Sequence, residues 1–144
     1  MPQRYPVAVG KFPLTSDWYV RLPFEFAHRV EDGSIVLWRP GLTFFFDIRG
    51  NQFHDSIDQR LSWIRAIASE VRTSEQVSNE LDLVRLTYEV DERATDPTKP
   101  HYRSLSAFII TDEGHVQIVA YCDDRQALGL AYSLIASVRP SRGG

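Results

Sequence analysis

The apolar positions of this chain follow two periods, and the order in which those periods alternate predicts the architecture. Period-two alternation comes first. In residues 24–30, Phe24, Phe26 and His28 share one side while Glu25 and Arg29 take the other. Residues 18–22 alternate more loosely and stop at Pro23, which reads as a short edge strand. Glu31-Asp32-Gly33-Ser34 is a hairpin turn, because Asp-Gly supplies the positive φ that tight turns need. Residues 34–38 form the return strand, and Arg39-Pro40-Gly41 turns the chain again. Residues 42–48 (LTFFFDI) are the most apolar strand. Phe44 and Phe46 face one way and Phe45 the other, the pattern of a central strand covered on both faces.

A helical period follows. Ser56 with Gln59 makes a capping box, and Ile57, Leu61, Ile64, Ala68 and Val71 form one stripe, widened by Trp63 and Ile67. The helix is expected over residues 56–71, with Asp58, Arg60, Arg65 and Glu70 toward solvent. Residues 73–80 are polar and read as a loop. Residues 81–92 alternate cleanly, with Val84, Leu86, Tyr88 and Val90 on one side. Residues 93–101 hold two prolines and read as a long loop. Residues 102–111 and 115–122 form a hairpin across Asp112-Glu113-Gly114, and both are apolar enough at their centres to be central strands. A second helix is expected over residues 124–138, capped by Asp123 or Asp124. Leu128, Ala131, Ile135 and Val138 form its buried stripe, and Pro140 stops it.

These elements predict an α+β domain: an antiparallel sheet covered by two main helices, an α/β/α sandwich over residues 18–139. Residues 1–17 are expected to be an arm and residues 140–144 a frayed tail. With 144 residues, a single core is affordable and one domain is expected. Residues 18–22, flanked by prolines, are the edge through which a homodimer would pair.

Composition narrows the function classes. The net charge of −3 offers nothing to a phosphate backbone, so no nucleic-acid partner is expected. Fourteen arginines stand against two lysines, Lys11 and Lys99, a bias that GC-rich coding explains. One cysteine, Cys122, excludes an internal disulfide and a cysteine metal cluster. No apolar run reaches the ~18 residues of a membrane span and the N-terminus lacks a signal-peptide core, so the chain reads as cytoplasmic with no membrane partner.

Catalytic motifs are missing: there is no nucleophile elbow, phosphate loop or paired-histidine metal motif. This argues against an enzyme, and neither cofactor nor metal is expected. His54, Asp55 and Asp58 cluster at the entrance of the first helix, where capping explains them better than acid/base chemistry does. Cys122 reads as a packed small hydrophobe, and Asp123-Asp124 as caps. The aromatic surplus is the one recognition feature. Trp18, Trp38 and Phe45 are the expected protein-contact residues. Phe44, Phe46, Trp63 and Tyr88 would line a cavity between sheet and helix if the protein held a small molecule.

The order of elements resembles the Mog1/PsbP-like fold family. The resemblance rests on the early meander of residues 24–48, the capped helix after Gly50-Asn51, the later hairpin at Asp112-Glu113-Gly114 and the closing helix at residues 124–138. It implies an antiparallel sheet between helices, and a bacterial protein-binding role: an adaptor, a secretion chaperone or an immunity-type protein, without a catalytic site.

Overall fold

Among the described residues, nine strands form one antiparallel sheet and two helices lie against it. This computed structural model describes residues 5–51, 53–68, 72–80, 82–91, 97–98 and 102–141. The strands are β1 (Val7–Pro13), β2 (Trp18–Glu31), β3 (Ser34–Arg39), β4 (Leu42–Gly50), β5 (Thr73–Glu80), β6 (Leu83–Val90), β7 (Arg103–Thr111), β8 (Gly114–Cys122) and β9 (Arg139–Pro140). The helices are α1 (Ile57–Ile67) and α2 (Arg125–Ala136). Their spatial order is β1-β2-β3-β4-β8-β7-β6-β5, with β9 beside β2. Two local meanders, β1–β4 and β5–β8, are therefore joined by one long-range seam between β4 and β8, where Phe44 opposes Ala120.

The expected α/β/α sandwich does not hold. The fold is β-rich, with 58% of the described residues in strands and 19% in helices. Three segments account for the difference. Residues 7–13, expected to be an arm, form β1. Residues 73–80, expected to be a loop, form β5. Pro23, expected to end a strand, lies inside the 14-residue β2. Each has a physical reason. Pro23 falls where β1 shifts register between Ala8 and Gly10, and between the stretches of β2 paired with β9 and with β3, so its missing N–H costs nothing. β5 is a rim strand that needs only β6 for its hydrogen bonds, and Val77 is its one half-buried residue. Alternating apolar residues are not required there. Register shifts in β1 and β5 and the polar side chains of β5 blunt both rims of the sheet. Within residues 18–22, β1 pairs Tyr19 to Leu22, β9 pairs Trp18 and Tyr19, and Arg21 N–H donates to Ser137 Oγ at 3.0 Å, so this stretch is not the bare edge expected for pairing with a second copy.

Side chains alternate between two faces, and each helix covers part of one. On the concave face, Phe44, Phe46, Leu105, Ala107, Ile109 and Ile118 pack beneath α2, which contributes Leu128, Ala131, Leu134 and Ile135. The Phe44 and Phe46 rings stack at 5.9 Å, and Phe26 meets Phe44 edge-on at 6.1 Å. On the convex face, Leu86, Tyr88, Phe108 and Ile110 pack beneath Ile64 and Ala68 at α1. The capping box of α1 forms as expected: Gln59 N–H donates to Ser56 Oγ at 3.1 Å, and Ser56 N–H to Gln59 Oε1 at 2.8 Å. Asp124 caps α2, accepting from Ala127 N–H at 2.8 Å. Of the stretch expected to be a loop at residues 93–101, only Pro97 and Thr98 are described, in a turn; of the tail expected at residues 140–144, Pro140 instead pairs with Trp18 in β9, and residues 142–144 lie outside the described residues.

The sheet curls around α2 far enough for its two halves to be tied together. β9 is hydrogen-bonded to β2, yet Arg139 Nη1 reaches Glu80 Oε2 on β5 at 2.7 Å. Arg85 on β6, only 7% exposed, pairs with the same carboxylate and donates from Nη2 to the Val138 carbonyl at 2.8 Å. The Arg139 hydrogen bond, opposed by burial and helped by the Arg85 charge, holds the Glu80 carboxyl below its ordinary value. Among the described residues, no helix is long and apolar enough to cross a membrane.

Candidate functional site

The most organised polar cluster sits on the convex face, where the end of β4, the start of β8 and the first turns of α1 meet. Its frame is set by two residues with no freedom. Gly114 opens β8 at φ +155°, and a Cβ there would lie 2.2 Å from the Arg49 carbonyl oxygen, so only glycine lets β4 and β8 approach this closely. Asn51 then fixes the turn into α1. Its Nδ2 donates to the carbonyls of Asp55 (2.7 Å) and Asp112 (2.9 Å), and its Oδ1 accepts from Asp55 N–H (3.0 Å) and Arg60 Nη1 (2.8 Å). One side chain thus staples the helix entrance to the β7–β8 turn.

Arg60, held this way, reaches back across the sheet. Nε donates to His115 Nδ1 at 3.0 Å and Nη2 to the Gly50 carbonyl at 2.8 Å. Among the described residues, every acceptor of this guanidinium is neutral and no carboxylate pairs with it. His115 is 3% exposed, and burial, then the charges of Arg60 and Arg49, push its pKa down to about 4. Because an arginine N–H can only donate, His115 Nδ1 must carry a lone pair. The imidazole is therefore neutral, with its proton on Nε2.

These residues line an open cleft of about 590 Å³. Arg49, Arg60, His115 and Gln117 supply polar groups, and Asp55 supplies one carboxylate. Phe53 and Trp63 also line it, at 76% and 56% exposed, and their rings are among the largest apolar surfaces the described residues leave in solvent. A second opening of about 630 Å³ lies on the other side of Arg49 and Gly50. It is lined by Asp17, Asp82, Asp112 and Glu113 together with Arg49, which borders both openings, and it has no comparable pair of exposed rings, so carboxylates dominate it. No group of three His, Cys, Asp or Glu residues among the described residues is placed to hold a metal.

The structure separates several residues that sequence reasoning grouped. Trp18, expected at a protein contact, is 6% exposed and belongs to the concave core beside Leu14. Trp38 and Phe45 lie on the opposite face, half-buried. Trp38 meets Tyr5 edge-on at 4.9 Å and carries Arg29 over its ring at 4.6 Å; Phe45 meets Tyr121 edge-on at 6.0 Å. The expected cavity residues divide between faces: Phe44 and Phe46 are packed under α2, Tyr88 is buried under α1, and Trp63 points away from both clusters. These four therefore line no common cavity. Of His54, Asp55 and Asp58, only Asp55 lines the cleft, and no hydrogen bond or ion pair joins the three. Cys122 is buried, and burial, then the nearby Asp123, pushes its thiol up to about 12, so it is no thiolate nucleophile.

Sequence reasoning missed Arg60 and His115. Arg60 stands on the solvent side of the helical stripe, three residues before Trp63, so the two share a helix flank. That flank was the available signal. The pairing of Arg60 with His115, 55 residues apart, has no local signature.

No family model matches this chain, and no curated protein or solved structure matches it either.

Proposed function

We propose that the protein is a non-catalytic small-molecule-binding module whose site is the convex-face cleft. One observation carries the reading: a guanidinium bonded only to neutral acceptors faces the same cleft as two solvent-exposed aromatic rings. Binding sites combine apolar walls with a few fixed polar groups, and this cleft has that composition and a fitting volume. The same groups argue against catalysis. His115 is held neutral and engaged at Nδ1, Cys122 is an inert thiol, and the described residues that line the cleft include no serine, threonine, cysteine or lysine to serve as a nucleophile. A single buried cysteine needs no oxidising compartment, which supports a cytoplasmic setting.

A thermal-shift screen of small metabolites against the wild type and Trp63→Ala tests this reading. Compounds that raise the melting temperature of the wild type and not of the variant are the expected result. A screen in which the variant responds to every compound as the wild type does would overturn it.

A protein-contact role has its own observation. Among the described residues, no helix lies over the part of the convex face that carries Trp38, Phe45 and Tyr121, and these rings stay partly exposed on it. Alanine at Trp38 and Phe45 together tests that reading. Unchanged self-association in light scattering and unchanged co-purifying proteins would end it.

A further inference from the structure

We infer that the cleft takes a monoanionic carboxylate carried on a flat, apolar ring system. This rests on the small-molecule reading above and names its ligand class. A guanidinium has five N–H groups. Arg60 spends one from Nε on His115, one from Nη1 on Asn51 and one from Nη2 on the Gly50 carbonyl. One N–H remains on each Nη. Two unspent donors on one planar group match the two oxygens of a carboxylate.

Charge sets the valence of the ligand. Among the residues that line the cleft, Arg49 and Arg60 stand against the single carboxylate of Asp55 with His115 neutral, and because Arg49 also borders the acidic opening the cleft carries at most one net positive charge. A monoanion balances it. A phosphate dianion would overshoot and would meet Asp55. Arg49 makes no side-chain hydrogen bond or ion pair among the described residues, so it is available to the same anion. Phe53 and Trp63 then give the rest of the ligand an aromatic surface to stack against. Frame rigidity makes the recognition selective. Asn51 and the backbone contact at Gly114 hold Arg60 before any ligand arrives, so little ordering is left to be lost on binding.

Calorimetric titration of the full chain with three matched probes tests this: naphthoate, the neutral naphthamide and naphthyl phosphate. Naphthoate is expected to bind at least about tenfold more tightly than naphthamide, the size of one charge-assisted hydrogen bond. It is also expected to bind more tightly than the phosphate. Arg49→Gln, which removes no internal bond, and Trp63→Ala, at an exposed position, should each weaken naphthoate several-fold without unfolding the protein. Equal affinity for naphthoate and naphthamide, with loss in Trp63→Ala, would keep the cleft and overturn the carboxylate assignment. Tighter binding of the phosphate would overturn the monoanion. Failure of all three probes to bind, or binding that neither variant changes, would overturn the cleft itself.

Discussion

Arg60 donates to the Nδ1 of His115 across 3.0 Å, a hydrogen bond between a helix and a strand whose donor is charged and whose acceptor is a neutral ring. Protonating that ring would set two cations against each other in a largely buried place. This one contact fixes the tautomer of His115 and spends one of the donors of Arg60.

A pH dependence follows. The folded His115 pKa is about 4, against an ordinary 6.5, so the unfolded chain takes up this proton first as pH falls. Its contribution to stability is whole above about pH 6.5 and is lost between 6.5 and 4. The shift corresponds to roughly 3 kcal/mol, at about 1.4 kcal/mol per unit. Urea unfolding at pH 7 and pH 5 should show a clear loss at the lower value in the wild type and a smaller one in His115→Gln. Equal losses in the two proteins would refute the assignment.

Gly114→Ala should cost about 2–4 kcal/mol, because its Cβ meets backbone and not a side chain that can swing aside. Gly33, also at positive φ but with open space around it, is the control, and its alanine variant should cost about 1 kcal/mol. Denaturant midpoints of the two variants give the comparison, and a Gly114 variant no worse than the Gly33 variant would refute the close approach.

Asn51→Ala should destabilise by about 2–3 kcal/mol, since it strands the Asp112 and Asp55 carbonyls and one donor of Arg60. It should also lower affinity for any ligand of the cleft, because Arg60 loses a positioning contact. A variant of wild-type stability would show that water replaces the side chain in full.

Glu80 and Arg85 should respond unequally. Glu80→Ala leaves the guanidinium of Arg85 buried beside Arg139 with no carboxylate, at a cost of about 2 kcal/mol. Arg85→Met removes the buried charge together with an Nε that has no hydrogen-bond partner, and should cost less. Chemical denaturation of the pair tests the order, and the reverse order would place the main role in Arg85.

The legible parts of this fold are those where burial imposes a period. The hairpin at Asp32-Gly33, the Ser56–Gln59 capping box, the central position of β7 and β8 and the stripe of α2 all leave local marks, because each satisfies its requirement within a few residues. β5 and β1 left none. β5, a rim strand bonded on one side with Val77 alone half-buried, can be written in polar residues, while the apolar residues of β1 are interrupted by Gly10 at a register shift and show no clean period. Nor does a sequence show which proline falls in a gap between ladders, as Pro23 does. Two expected site residues, Trp63 and Asp55, line the cleft; the arginine and histidine that organise it were hidden by their separation along the chain.

The seam between β4 and β8 also governs the order of assembly. The meander β1–β4 is complete as soon as Gly50 is synthesised, yet the partner of β4 does not begin until Gly114. Through that interval the three consecutive phenylalanines of β4 stand on a bare rim, with backbone donors and acceptors open to any passing strand. Closing the seam is a long-range pairing, of the kind whose loop-closure entropy slows folding. A chain ending before Gly114 is expected to precipitate while the full chain stays in solution, and soluble yields of the two measure it. The hazard of this protein thus lies less in the finished sheet than in the time its phenylalanine-rich strand spends waiting for a neighbour.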